Sequence, residues 1–306
     1  WTFRKQPGFF DVVTYSGTGS AQNISHNLGS VPGMIMVKRT SGAEDWIVYH
    51  RSLGNTSGLG LNETNAAYTG VTAYWNATTP TDSVFTVGTH DRVNTSGHTY
   101  VAYLFAHDEQ DFGEDSDEAI IKCGSYTGNG SSSGVEVSLG FEPQWLFVKM
   151  SSHSGYYSPL VDSMRGFVVG GNDATVWPNV SDAEYSGANY LDPTSTGFIA
   201  TDTSNTNMSG RTYVYMAIRR PHKPASEFAA TDLFKADFAG SSGIFTGDAG
   251  FPVDFVIYTT TTGASNYAYS RITGAGYLVT NTTAAETGPG GLWDSMTNFR
   301  SVSYTH

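Results

Sequence analysis

The sequence predicts an all-β protein made of tandem β-sandwich modules, jelly-roll or lectin-like, with a period of about 110 residues. Three observations lead there. A cassette is stated three times: YSGTG (15–19) leads through HNLGSVPG (26–33) to MIMVKR (34–39), YTGNG (126–130) through SLGFEPQ (138–144) to WLFVKM (145–150), and FAGSSG (238–243) through GDAGFPV (247–253) to DFVIYT (254–259). The marker prolines Pro32, Pro143 and Pro252 lie 111 and 109 residues apart. That exceeds a solenoid unit of about 20–50 residues and suits a self-folding sandwich of about 100. Finally, charged residues make up only 14% of the chain, with 35 glycines and many aromatics, a β- and turn-rich balance.

The elements follow in order. Residues 1–8 resemble the closing strands of the later units, with Trp1 matching Tyr103 and Met216 and Phe3 matching Phe105 and Ile218. They are expected to be the last strand of a preceding repeat, or a strand closing the third unit. Repeat 1 spans 9–107. FFDVVTY (9–15) has the β-branched and aromatic bias of a strand and ends at a glycine turn. MIMVK is a continuous apolar run between Pro-Gly and a polar loop, as expected of a strand buried on both faces. DWIVYHRSL (45–53), SVFTVG (83–88) and TYVAYLF (99–105) supply further strands, the last introduced by the hairpin signal NTSG.

An acidic linker, 108–118, holds seven carboxylates in eleven residues and reads as solvated. Calcium is its sharper alternative, through Asp111, Glu114, Asp115 and Asp117, but the order of an EF-hand loop is missing. Repeat 2, 119–221, restates the plan with a longer excursion at 170–192. Repeat 3, 222–306, matches WDSMTNF (293–299) to the Trp75 region and stops short of the closing hairpin, so it reads as incomplete.

A net charge of −12 argues against partners such as nucleic acid or anionic membrane surfaces. No apolar run approaches the ~18 residues of a membrane helix, so no membrane insertion is expected. The single cysteine, Cys123, excludes an internal disulfide and lies in an apolar strand, where it is expected to act as a small buried hydrophobe.

No catalytic constellation emerges, and the protein is read as a non-enzyme without cofactor or metal. Serines cluster in turns, no G-x-S-x-G elbow or H-E-x-x-H spacing occurs, and no glycine-rich loop has phosphate-binding spacing. His50 is expected to be a structural histidine. Lys38 and Lys149 recur at the end of the apolar strand and are expected to lay their stems along apolar surface with the charge in water. Trp46, Tyr157 and Tyr267 are read as matching packing positions. Trp177 differs, because it sits in the loop specific to repeat 2. With Asn172, Asp173, Asn179, Asp182, Tyr185 and Tyr190 it has the aromatic-plus-amide composition of a glycan site; burial at an inter-unit or inter-subunit contact is the competing reading. Nine N-x-[ST] sequons, at Asn23, Asn55, Asn62, Asn76, Asn94, Asn129, Asn179, Asn207 and Asn281, would matter only on a eukaryotic secretory route.

The phrases WTFRKQPGFFDVVTY, HNLGSVPGMIMVKRT, DWIVYHRSL and NTSGHTYVAYLF together resemble a repeat family of tail-fibre and virion-associated structural proteins of tailed bacteriophages, marine cyanophages especially. The resemblance transfers no catalytic residue. It implies a virion appendage, assembled in the host cytoplasm, that self-associates as a homotrimer or other homo-oligomer beside other virion proteins. Multivalent attachment to a host-surface glycan would then be its role. The alternatives are a purely architectural capsid or neck fibre and a bacterial extracellular adhesin or filament.

Overall fold

The computed structural model describes residues 2–107, 112, 118–220 and three strands between 255 and 279. It is a predominantly β-strand protein with several antiparallel sheets. The chain divides into two compact units, Trp1–Lys223 and Pro224–His306. In the second, β15 (Phe255–Tyr258), β16 (Tyr267–Ser270) and β17 (Tyr277–Val279) form one antiparallel sheet in chain order. The calcium candidates Asp111, Glu114, Asp115 and Asp117, most of the acidic linker and the rest of repeat 3 lie outside the described residues.

The first unit contains two segments of similar plan. In the first segment, β1 (Phe10–Ser16), β3 (Met34–Arg39), β4 (Ile47–His50), β5 (Leu59–Gly60) and β7 (Thr99–Phe105) form a five-stranded sheet ordered β1-β7-β3-β4-β5. A smaller sheet pairs β2 (Gln22–Ser25) with β6 (Val84–Val87). In the second segment, β8 (Ile121–Thr127), β10 (Pro143–Met150), β11 (Leu160–Asp162) and β14 (Thr212–Arg219) make a sheet ordered β11-β10-β14-β8. Its smaller sheet is β9 (Val135–Ser138), β12 (Leu191–Thr194) and β13 (Gly197–Ala200), ordered β12-β13-β9. Two helices of a single turn, α1 (Thr72–Trp75) and α2 (Asp91–Asn94), were not foreseen, since four residues carry no helical periodicity.

The cassette has a physical explanation. Tyr15 pairs with Tyr100 across β1 and β7, and Tyr126 with Tyr213 across β8 and β14; both ring pairs stack, at 5.2 and 4.9 Å. Each first tyrosine donates its hydroxyl to the backbone just before a buried asparagine, at Val93 O and Thr206 O. Asn94 and Asn207 then hold the glycine turn, accepting from Thr18 N and Asn129 N and donating to Ser20 O and Ser131 O. The turn is pressed so close that a methyl at Gly17 or Gly128 would lie 2.1 or 2.3 Å from the carbonyl oxygen of Thr95 or Met208. The sequons at Asn94, Asn207 and Asn179 are therefore buried scaffold.

The continuous apolar runs are buried on both faces, as expected. Ile35, Val37 and Leu104 look inward toward Ile24, Phe85 and Trp75, while Leu146, Val148 and Tyr215 look toward Val137 and Phe198. The opposite faces meet each other: Met34, Val48 and Phe105 share one core cluster with Trp145, Phe147, Leu160, Val214 and Met216. The larger sheets of the two segments thus pack face against face. Cys123 lies in this interface, buried, with its thiol pushed up by desolvation. Gly33 lies against it, where a Cβ would stand 2.9 Å from that of Cys123.

The expected strand at 1–8 does not form among residues 2–5. Gln6 makes an isolated bridge to Phe10, and Phe3 packs on Phe10 and Phe105, with ring centroids 5.4 and 5.5 Å apart.

Candidate functional site

The polar groups buried between the two segments serve as ties. His50 Nδ1 accepts Ser52 N at 3.2 Å, so Nε2 carries the proton and donates to Tyr215 O at 3.1 Å. Burial lowers its pKa to about 4, and the neutral structural histidine expected from sequence is what stands there. Lys149 departs from expectation. Its ammonium is not in water: the residue is 2% exposed, and Nζ donates to Glu63 O of the other segment at 2.6 Å. Desolvation lowers its pKa to about 8, against a smaller favourable effect of the Glu63 charge. Ala67 N to Ser151 O and Gly155 N to Thr64 O, both 2.8 Å, continue the seam.

The loop specific to the second segment is built around buried polar groups as well. Asp173 is fully buried and accepts Tyr190 N, Leu191 N and Val168 N at 3.2, 3.1 and 3.5 Å; burial outweighs these bonds and raises its pKa to about 6. Asn179 accepts Ser158 N at 2.9 Å and donates to Tyr156 O at 3.0 Å, with Glu63 O a longer partner at 3.5 Å. Trp177 is 7% exposed, its ring meeting Tyr157 and Tyr190 edge to face at 5.2 Å each.

The seven residues proposed as a glycan site therefore divide. Asp173, Trp177, Asn179 and Tyr190 are turned inward and used in packing, whereas Asn172, Asp182 and Tyr185 are exposed. The aromatic beside Asp182 that does reach solvent is Tyr157, at 40% exposure. Its phenol is bonded to the Asp182 carboxylate, which raises its pKa. Sequence reasoning missed Tyr157 because it was matched to Trp46. The ladders show otherwise: Val48 faces Met36 and Leu160 faces Phe147, so Trp46 corresponds to Ser158. Around the same loop Met164 and Val169 are 93% and 77% exposed. The result is a solvent-facing aromatic that meets a buried tryptophan edge to face and is bonded to a carboxylate. Such a surface suits contact and hydrogen bonding. Among the described residues no group of three His, Cys, Asp or Glu could hold a metal ion, and no helix is long and apolar enough to cross a membrane.

The model of a family described as a domain of unknown function, DUF7483, matches residues 4–221. The chain belongs to this family. The DUF7483 match takes in both segments and the seam between them, and its bounds nearly coincide with the compact unit Trp1–Lys223. No curated protein and no solved structure matches the chain.

Proposed function

We propose that the chain is a structural protein of a tailed-phage virion appendage, a tail fibre or spike, built as tandem β-sandwich modules of about 110 residues. Its surface loops would supply multivalent contact with a host-surface glycan. The observation that carries this reading is the division of labour in the second segment. His50 and Lys149 are spent on joining segments, while Tyr185 and Asp182 are presented by a loop without counterpart in the first, and Tyr157 of the β10–β11 connection is bonded to Asp182. Sugar recognition commonly pairs an aromatic face with carboxylate or amide partners, and weak sites gain avidity when an oligomer repeats them. The role requires no cofactor and no catalytic group.

Two measurements test it. Antibody labelling of purified virions by electron microscopy should find the protein on an appendage; its absence from purified particles would reject the assignment. Tyr157→Ala with Tyr185→Ala should lower host-cell binding of the purified oligomer at least tenfold while assembly is retained. Unchanged binding would leave the architectural reading standing instead.

A further inference from the structure

The two large sheets do not close along their whole length. Beside the seam they leave a cleft of about 530 Å³, within the range of small-molecule sites. Val12, Met36 and Trp46 of the first segment face Trp145, Phe147 and Met216 of the second across it. None of its lining residues is charged. Phe3, Val12, Met36, Trp46, Leu61 and Tyr103 are all half-buried, so the cleft is open to the surface along them.

Apolar faces normally collapse onto one another, because interiors at native density leave few voids larger than a water molecule. Here the separation is set nearby by polar ties that tolerate little sliding: His50 to Tyr215, Lys149 to Glu63, Ala67 to Ser151 and Gly155 to Thr64. The cleft is continuous with that interface and is held open by it. Its chemistry excludes a charged or strongly polar occupant from the interior. The rim differs. Phe3 is followed directly by the exposed cation Arg4 and then by Lys5, whose ammonium is paired with the Asp11 carboxylate at 2.9 Å, in a chain whose net charge is −12. An apolar slot with the Arg4 cation next in the chain to one of its lining residues complements an anionic amphiphile.

We propose that this cleft binds a long-chain fatty acid, with the acyl chain between the two sheets and the carboxylate at the Arg4 rim. The test uses the full 306-residue chain and cis-parinaric acid, read by energy transfer from Trp46 and Trp145, which line the cleft. Saturable binding at one site is expected. Val12→Arg and Leu61→Trp should each weaken it at least tenfold with circular dichroism unchanged. Met164→Ser, on the exposed loop, should have no effect. The methyl ester of the probe should bind several-fold more weakly.

No saturable binding, binding that survives a folded Leu61→Trp, or loss on Met164→Ser would each overturn the site. Equal affinity for the ester would overturn the placement of the carboxylate. A concentration-dependent dimer that Leu61→Trp dissolves, with no probe bound, would show that a second copy occupies the cleft and would overturn the proposal. Leu61→Trp introduces no charge, so this variant decides the matter even where Val12→Arg fails to fold.

Discussion

Lys149 offers the sharpest test of how the two segments are joined. A lysine that titrates near 8 rather than 10.5 has lost about 3 kcal/mol of preference for its charged form on folding. The cause is burial of the ammonium in the seam, only partly offset by the charge of Glu63. The sign follows from proton linkage. Between the folded and unfolded values the unfolded chain binds more protons at this site, so stability rises with pH through that window. From pH 8 to pH 9.5 the wild type should gain about 2 kcal/mol from this residue alone.

Lys149→Met keeps the length and apolar stem of the side chain and removes the titration, so that gain should vanish. The assay is urea denaturation followed by tryptophan fluorescence at pH 7.5, 8.5 and 9.5, with the difference between the two proteins as the readout. Stopping at pH 9.5 limits interference from buried phenols such as Tyr15 and Tyr126, whose raised pKa values make stability fall at higher pH. Parallel profiles for the two proteins would refute the burial of a charged Lys149 and, with it, this account of the seam.

Other consequences are equally direct. His50, lowered to about 4, should cost the wild type about 3 kcal/mol as pH falls from 6.5 to 4, because the unfolded chain takes up the proton first; His50→Leu should lose that dependence in acid-titrated urea midpoints. Gly17→Ala and Gly128→Ala drive a methyl into backbone rather than a movable side chain and should each cost at least about 3 kcal/mol. Gly54→Ala, with open space around its Cβ but a positive φ, should cost about 1 kcal/mol in the same denaturation assay. Trp177→Ala should destabilise by about 3–5 kcal/mol, whereas Tyr157→Ala should cost well under half of that. Cys123 should resist a thiol reagent in the native protein and react promptly in urea, since burial both hides it and disfavours its thiolate.

Much of the strand framework was legible because period and turn chemistry are local. MIMVK and WLFVKM announced burial on both faces, and the glycine turns marked where strands stop. What covers the second face was not legible. An apolar face states that it is buried, not by what, and the residues that meet across the seam are far apart in the chain: Glu63 and Lys149 are separated by 86 positions and His50 and Tyr215 by 165. The same distance explains the misplaced ammonium of Lys149, whose partner no local pattern reveals. At the candidate site, composition identified the correct loop but not its orientation. Whether Trp177 stacks on a ligand or on Tyr157 and Tyr190 depends on a fold of some thirty residues with little regular structure. Aligning Tyr157 with Trp46 failed by one residue because the connection from β10 to β11 is one residue longer than that from β3 to β4.

The internal comparison separates two kinds of position. Where a residue holds its own segment's turn, the two copies are identical: Tyr15 and Tyr126, Gly17 and Gly128, Asn94 and Asn207, Tyr100 and Tyr213. Where the segments face each other, several ladder-equivalent residues differ, among them Val12 and Cys123, Met36 and Phe147, Tyr103 and Met216, and His50 and Asp162, although Lys38 and Lys149 are the same. Identical faces would suit a symmetric pairing of like with like, in which each position meets its own equivalent partner. Faces that have diverged while their framework has not are instead shaped to one another. His50 in one segment meets a backbone carbonyl in the other, and Lys149 in the second reaches back to a carbonyl of the first. The working unit is therefore the pair, which is also the extent of the DUF7483 match. A single segment expressed alone would expose the aromatic and methionine side chains of its seam.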